Sequence, residues 1–286
     1  MDKSRLYYQI PYVKSFMCTV EHCEESGKGT WLVTLNQTGF YPEGGGQPYD
    51  TGTLNGISVV SVHEKGEQVI HELAQPIEEG TLAEGIIDWQ RRYDNMQLHT
   101  GEHILSGLVH KHFGYDNVGF HMGAEEVTVD FNGIIEPEDL DWLEDEANQL
   151  VYANVPVKVL YPSEDELRTM EYRSKKELSG LVRIVEVPGA DVCACCGTHV
   201  ENTGEVGIIK IRSMIHYKGG VRLSMLCGRR ALLDYRDRLK DEARISNLLS
   251  AKLVQVPDAV EKLKSDSQDK DCLIGKLGSS LLALKA

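Results

Sequence analysis

The chain has 286 residues, with 30 Lys plus Arg against 44 Asp plus Glu, a formal charge of −14. That balance excludes a generally basic nucleic-acid coat. An apolar fraction of 41% with 26% charged residues excludes disorder as the main state. No apolar run approaches the roughly 20 residues of a membrane helix. The first five residues lead into no apolar signal core, so a cytoplasmic protein without a membrane partner is expected.

Residues 12–88 read as short β-strands near 16–20, 31–35, 57–62, 68–73 and 82–87. Turns at Ser26-Gly27-Lys28-Gly29, Asn55-Gly56, Lys65-Gly66 and Glu79-Gly80 separate them. Asn-Gly is a strong hairpin signal, and strands at this spacing suggest a small barrel or sandwich. At Asp88, a plausible helix cap, the period changes, and Leu98, Leu105, Leu108 and Val109 support a helix to about Phe113. Val127, Val129 and Phe131 alternate as a strand, and 137–153 reads as an acidic helix. Strands follow around 155–160, 182–187, 207–212 and 221–226. This mixture predicts an α+β fold. From Arg229 the chain reads as helical, split at Pro257-Asp258. Val260, Leu263, Ile274, Leu277, Leu281 and Leu284 fit a heptad, either a short coiled coil, including a dimeric one, or a plain amphipathic helix pair. Three regions are expected: a β-barrel with a glycine-rich loop (1–90), a metal-binding α+β region (91–228) and a helical linker or dimerisation segment (229–286).

Three of the seven cysteines crowd at Cys193, Cys195 and Cys196, a poor disulfide set that points to metal. His99 and His103 lie one helical turn apart on one face, so they can share an ion. Cys195 and His199 form a second pair, and Gly197 lets the loop between them turn tightly. Together they offer four N/S donors suited to tetrahedral Zn2+. Four donors close a structural site; a catalytic one must keep or free a position for water or substrate. Cys193 and Cys196 are alternative thiolates. His-Thr-Gly-Glu-His also fits the inverted zincin pattern, in which Glu102 would be the general base of a peptidase.

Residues 38–48 (TGFYPEGGGQP) link two predicted strands. They lack the Lys-Ser/Thr of a P-loop, and no helix follows. The glycines allow close approach of a ligand or another segment. Phe40 and Tyr41 could stack a base or fill the barrel end.

Four blocks, 38–53 (TGFYPEGGGQPYDTGT), 88–105 (DWQRRYDNMQLHTGEHIL), 191–200 (DVCACCGTHV) and 219–228 (GGVRLSMLCG), carry a resemblance. The sequence resembles the free-standing alanyl-tRNA editing proteins of the AlaX type and the editing domain of alanyl-tRNA synthetase, over about residues 8–265. A related editing domain of threonyl-tRNA synthetase shares the metal pairs but not the glycine-rich block. The resemblance implies a zinc-bearing hydrolase, needing no ATP, that cleaves the ester joining a wrong amino acid, chiefly serine and also glycine, to tRNA(Ala). It implies His99, His103, Cys195 and His199 as ligands. It implies Thr38 as the residue recognising the seryl hydroxyl, with Gln47 near the substrate. Cys196 departs from a common family glycine, and Glu102 is not a fixed family feature. In longer members the C-terminal helices lead to a further glycine-rich domain that aids tRNA binding and dimerisation. This sequence ends at Ala286, as a fragment or a shorter form. The other readings are a non-catalytic, zinc-structured tRNA-binding module and the inverted-zincin peptidase.

An aminoacyl ester is already activated, so water with modest polarisation is enough to cleave it. Discrimination is harder, because serine is larger than alanine and a size sieve cannot select it. A hydrogen bond to the seryl hydroxyl can, since alanine leaves the partner unpaired. Thr38 could be that partner or could be satisfied by local backbone.

The charge is unevenly spread. Residues 205–240 carry nine basic residues (Lys210, Arg212, Lys218, Arg222, Arg229, Arg230, Arg236, Arg238, Lys240) against three acidic ones. Arg91, Arg92, Arg168, Arg173, Lys175 and Lys176 are candidates to extend this basic side. The pattern suggests either RNA entry from one direction, weakened by salt, or a plain solvated face.

Overall fold

In a computed structural model, residues 4–27, 29–124, 126–174 and 182–285 are described. Lys28 of the first turn and Lys175 and Lys176 of the basic set lie outside them. A short helix α1 (Leu6–Gln9) precedes six strands: β1 (Ser15–Glu25), β2 (Trp31–Leu35), β3 (Gly52–Leu54), β4 (Ile57–Lys65), β5 (Gln68–Leu73) and β6 (Leu82–Ile87). They close into an antiparallel barrel in the order β1-β2-β5-β4-β3-β6. Alternation drives this: in β6, Ala83 and Ile87 point inward while Leu82 and Ile86 face solvent. The Asn55-Gly56 turn pairs Leu54 with Ile57, and both turn residues have positive φ (48° and 80°), as a tight hairpin between twisted strands requires. Phe16, Val33, Leu54, Val62 and Leu73 fill the barrel.

Asp88 caps α2 (Trp89–Phe113), its Oδ1 accepting from Arg91 N at 3.2 Å, and Gly114 in the left-handed region ends it. This helix is buried on most sides. Leu98, Ile104, Leu105 and Leu108 feed a second core, and its buried polar residues serve the site below. The remaining elements are β7 (Asn117–Met122), β8 (Val127–Phe131), α3 (Asp139–Ala153), β9 (Lys158–Leu160), α4 (Glu164–Thr169), β10 (Ile184–Val187), β11 (Asp191–Ala194), β12 (Ile209–Tyr217) and β13 (Gly220–Cys227). They form sheets β12-β13-β8-β7 and β11-β10-β9, so the fold is α+β. The strand expected near 16–20 runs on to Glu25, although its alternation ends at Val20, where a bulge shifts the register. The short strands β3, β7 and β11, not anticipated from sequence, each pair with the strand next to them in the chain, β4, β8 and β10, and β3 pairs with β6 as well.

Arg92 is a correction. Expected as an RNA contact, it is wholly buried and ion-paired to Asp50. Its guanidinium also donates to the carbonyls of Gly39 (2.6 Å) and Pro11 (2.9 Å). One turn into α2 it faces the barrel, and it clamps the glycine-rich loop to the helix.

Residues up to Ala231 and those from Leu232 onward form two compact units. The second continues α5 (Gly228–Leu249) into α6 (Val256–Lys285). The break falls earlier than Pro257. Ser250 takes a φ of 51°, a 3₁₀ turn spans Leu253–Gln255, and Pro257 sits in the first turn of α6, where a missing N–H costs nothing. In α6, Leu263, Ile274, Leu277, Leu281 and Leu284 are exposed. Among the described residues no helix is long and apolar enough to cross a membrane.

Candidate functional site

His99 and His103 leave one face of α2, and the loop after β11 brings Cys195 and His199 to meet them. The four ligating atoms lie within 4.8 Å of one another. Cys195 Sγ stands 3.4 Å from both His99 Nε2 and His199 Nε2. Gly197 makes this possible: a Cβ there would lie 2.0 Å from His99 Cε1, so only glycine lets the loop pass over the ring. Its N–H points at Cys195 Sγ (3.3 Å). Cys196 is exposed and outside the set, and Cys193 is buried beside His103 and Asp191.

Each imidazole is held by its other nitrogen. His99 Nδ1 meets Gln47 Oε1 (2.9 Å), His103 Nδ1 meets Asp191 Oδ2 (2.8 Å), and His199 Nδ1 meets Thr100 Oγ1 (3.3 Å). Thus all three rings turn Nε2 inward, as outer-shell partners of a metal site do. The partners are themselves fixed. Gln47 Oε1 also accepts from Thr198 N, its Nε2 donates to Thr198 Oγ1, and Thr100 Oγ1 accepts from Val200 N. Asp191 takes a two-pronged contact from Arg173 at 2.7 Å on each oxygen. Burial opposes ionisation of Asp191, but His103 and Arg173 outweigh it and draw the carboxyl down to about 2. Burial likewise opposes the Cys195 thiolate, yet the surrounding His99, His199 and His103 hold its thiol well below the ordinary range. Three inward nitrogens, one thiolate and an oriented outer shell fit a zinc ion.

The glycine-rich loop reaches this cluster through Gln47. Met122 N donates to Gly46 O (3.1 Å), and a Cβ on Gly46 (φ 85°) would lie 2.7 Å from the Phe120 carbonyl. Close approach to β7 is therefore what that glycine serves. Phe40 fills the barrel end, and Tyr41 is buried with its hydroxyl on Gly44 O (3.1 Å). Thr38 is buried in the barrel. Its oxygen accepts from Phe40 N (3.1 Å) and it pairs with His71 Nε2 (2.8 Å). His71 Nδ1 faces the Val33 carbonyl (3.1 Å), which can only accept, so Nδ1 carries the proton and Thr38 donates to Nε2. Among the described residues the Thr38 hydroxyl has these two hydrogen bonds. Glu102 is buried, lies outside the four-donor set, and accepts from Ser106 Oγ (2.6 Å) and Asn117 Nδ2.

The basic candidates are mostly engaged. Arg91 donates to Tyr49 O and lies over its ring, Lys210 pairs with Glu144, Arg222 forks onto Asp130 and Arg229 onto Asp94. Arg230 donates to the carbonyls of Gly123 and Ala124. Arg212 and Lys218 are exposed. Sequence reasoning missed Asp191, Thr100 and His71, and it placed Arg173 on the basic side, whereas its guanidinium is spent on Asp191. Asp191 and Thr100 lie within the quoted blocks, but nothing in their spacing marks them as partners of ring nitrogens.

Residues 182–223 match the model of the threonyl and alanyl tRNA synthetase second additional domain, and residues 6–91 match that of class II (A) tRNA synthetases. The alanyl-tRNA editing protein Aarsd1 of Danio rerio is 32% identical over 81% of this chain and 58% of its own length. The alanyl-tRNA editing protein AlaX-L of Pyrococcus horikoshii is 34% identical over 83% of this chain and 61% of its own. The alanine–tRNA ligase of Pyrococcus furiosus is 30% identical over 99% of this chain and 32% of its own. The chain therefore spans about three fifths of the editing proteins and about a third of the ligase. The barrel with its glycine-rich loop, the paired His and Cys-His donors and these relatives agree: the chain belongs to the family of alanyl-tRNA editing proteins of the AlaX type.

Proposed function

We propose that this protein is an editing hydrolase that removes a wrong amino acid, chiefly serine and also glycine, from tRNA(Ala) without ATP, in the cytoplasm. The observation that carries the reading is the convergence of His99, His103, Cys195 and His199 beside a glycine-rich loop that touches them through Gln47. These four residues would hold Zn2+, which when bound supplies Lewis-acid chemistry, polarising an oxygen or lowering the pKa of water. The chain's own residues set the geometry. Gln47, Asp191 and Thr100 fix the ring tautomers, and Gly197 N steadies the thiolate. Thr38, its proton committed to His71, presents only an acceptor, which suits a seryl O–H and leaves alanine unrewarded. Glu102 has its carboxylate on Ser106 and Asn117, which disfavours the peptidase reading.

In this reading residues 1–90 supply the recognition loop and 91–228 the metal centre. Residues 229–286 supply a helical segment whose exposed heptad leucines join two copies. Arg91, Lys210, Arg212, Lys218, Arg222, Arg229 and Arg230 face the RNA. The test is deacylation of Ser-, Gly- and Ala-charged tRNA(Ala) by zinc-loaded protein. Rapid loss of serine and glycine with alanine spared is expected. Intact Ser-tRNA(Ala) would leave only a non-catalytic tRNA-binding module.

A further inference from the structure

Arg183 sits one residue before β10, hydrogen-bonded through its backbone carbonyl to Cys195 N (3.1 Å). Only 7% of it is exposed. Its Nη1 donates to the Cys195 carbonyl (2.8 Å), and its guanidinium carbon lies 5.4 Å from the centre of the Tyr8 ring. Its Nε is buried and makes no hydrogen bond, and among the described residues no carboxylate pairs with it. Arg91 and Arg230, less buried, also rest on backbone carbonyls, but the other buried or half-buried arginines of this unit have a carboxylate. Arg92 has Asp50, Arg173 has Asp191 and Arg222 has Asp130.

A guanidinium stays charged at any ordinary pH, so it cannot escape burial by losing a proton. An aromatic face compensates part of the charge but offers Nε no lone pair. Holding one carbonyl needs only a neutral donor, so the charge has a further use. That use lies at the cluster, because the backbone Arg183 grips belongs to the thiolate ligand itself. The next residue, Cys196, is exposed, so the backbone that Arg183 holds runs out to the surface here.

We propose that Arg183, backed by Tyr8, seats a phosphodiester beside the metal centre: the linkage preceding the terminal ribose of an RNA 3′ end. This rests on the editing reading. The ester to be cleaved carries no negative charge, and the nearest anion in such a substrate is that linkage. A guanidinium fork matches its two free oxygens.

The experiment measures binding of uncharged RNA hairpins ending in ACCA to the full zinc-loaded chain. One hairpin has an ordinary terminal linkage and the other an uncharged methylphosphonate there. The native chain should bind the methylphosphonate hairpin about tenfold more weakly, the usual scale of a charge-assisted hydrogen bond. Its salt slope should also drop by about 0.7, the value for one single-strand phosphate contact. Arg183→Met should bind both hairpins alike, and Arg183→Lys should keep part of the penalty. An equal penalty in native and Arg183→Met protein overturns the seat, as does failure of the native chain to bind either hairpin. Loss of zinc and fold in both variants also overturns it, by making Arg183 a structural clip. Hydrolysis is read separately. A chain that distinguishes the hairpins but leaves Ser-tRNA(Ala) intact keeps the seat and loses the editing reading. One that deacylates without distinguishing them does the reverse.

Discussion

The barrel and the region that gathers the four N/S donors both bury histidine, and they leave it in different chemical states. In the barrel, His71 spends both ring nitrogens, Nδ1–H on the Val33 carbonyl and Nε2 on the Thr38 hydroxyl. Burial pulls its pKa down to about 4, against the smaller effect of Val33. It is a neutral clip between two strands and the start of the glycine-rich loop. In the other region His99, His103 and His199 spend only Nδ1, on Gln47, Asp191 and Thr100, and point Nε2 at a shared centre beside a thiolate. The second hydrogen bond makes the difference. A ring with both nitrogens satisfied is structural, whereas one with a fixed tautomer and an open nitrogen is a ligand.

Removing a donor tests this contrast most strongly. Cys195→Ala should abolish stoichiometric zinc and Ser-tRNA(Ala) deacylation together, measured by metal analysis and hydrolysis. Retained metal would instead fit an inverted-zincin ligand set. Next in size is Asp191→Asn, which leaves all four donors but takes the charge from behind His103. Zinc affinity, read by chelator competition, should fall about 10–100-fold. An unchanged affinity would mean Arg173 and the fold alone orient that ring.

The barrel histidine should respond to pH rather than metal. Its folded pKa of about 4 lies below the ordinary 6.5. Between those values the unfolded chain binds a proton that the folded chain refuses. Stability from this residue is therefore full above about pH 6.5 and is lost as pH falls toward 4. Between pH 7 and pH 5 the loss should be about 2 kcal/mol, at about 1.4 kcal/mol per unit. Urea unfolding of native and His71→Asn protein at both pH values isolates it. A native chain losing no more than the variant would show that His71 titrates normally.

Much of this was legible in the residues. Asn55-Gly56 marks its hairpin because only a turn with positive φ suits twisted strands, and Asp88 marks the start of α2 because its carboxylate caps free N–H groups. The i, i+4 spacings of His99 with His103 and Cys195 with His199 hold because four residues make one helical turn and Gly197 removes the steric barrier in the loop. The outer shell was not legible. Asp191 reaches His103 across 88 positions and Gln47 reaches His99 across 52, distances no local pattern encodes. Arg92 misled for the same reason, since a basic residue on a helix reads as solvent-facing until Asp50 is known to lie opposite.

The smallest effect concerns the point where the two regions meet in function. Thr38 belongs to the barrel by its contacts, yet the editing reading gives it a role in the chemistry of the cluster. Its hydroxyl donates to His71 and accepts from Phe40 N, so a seryl O–H can use only the lone pair that remains. Thr38→Val removes that acceptor while keeping the shape. The preference for Ser- over Ala-tRNA(Ala), taken as a ratio of kcat/KM values, should fall about tenfold, the worth of one neutral hydrogen bond. Thr38→Ser keeps the hydroxyl and should keep the ratio. His71→Asn retains Thr38 but frees its proton to point elsewhere, so the ratio should fall partway. If Thr38→Val leaves the ratio intact while lowering stability, Thr38 is a barrel residue only. Recognition of serine then lies with groups nearer the four donors, Gln47 first among them.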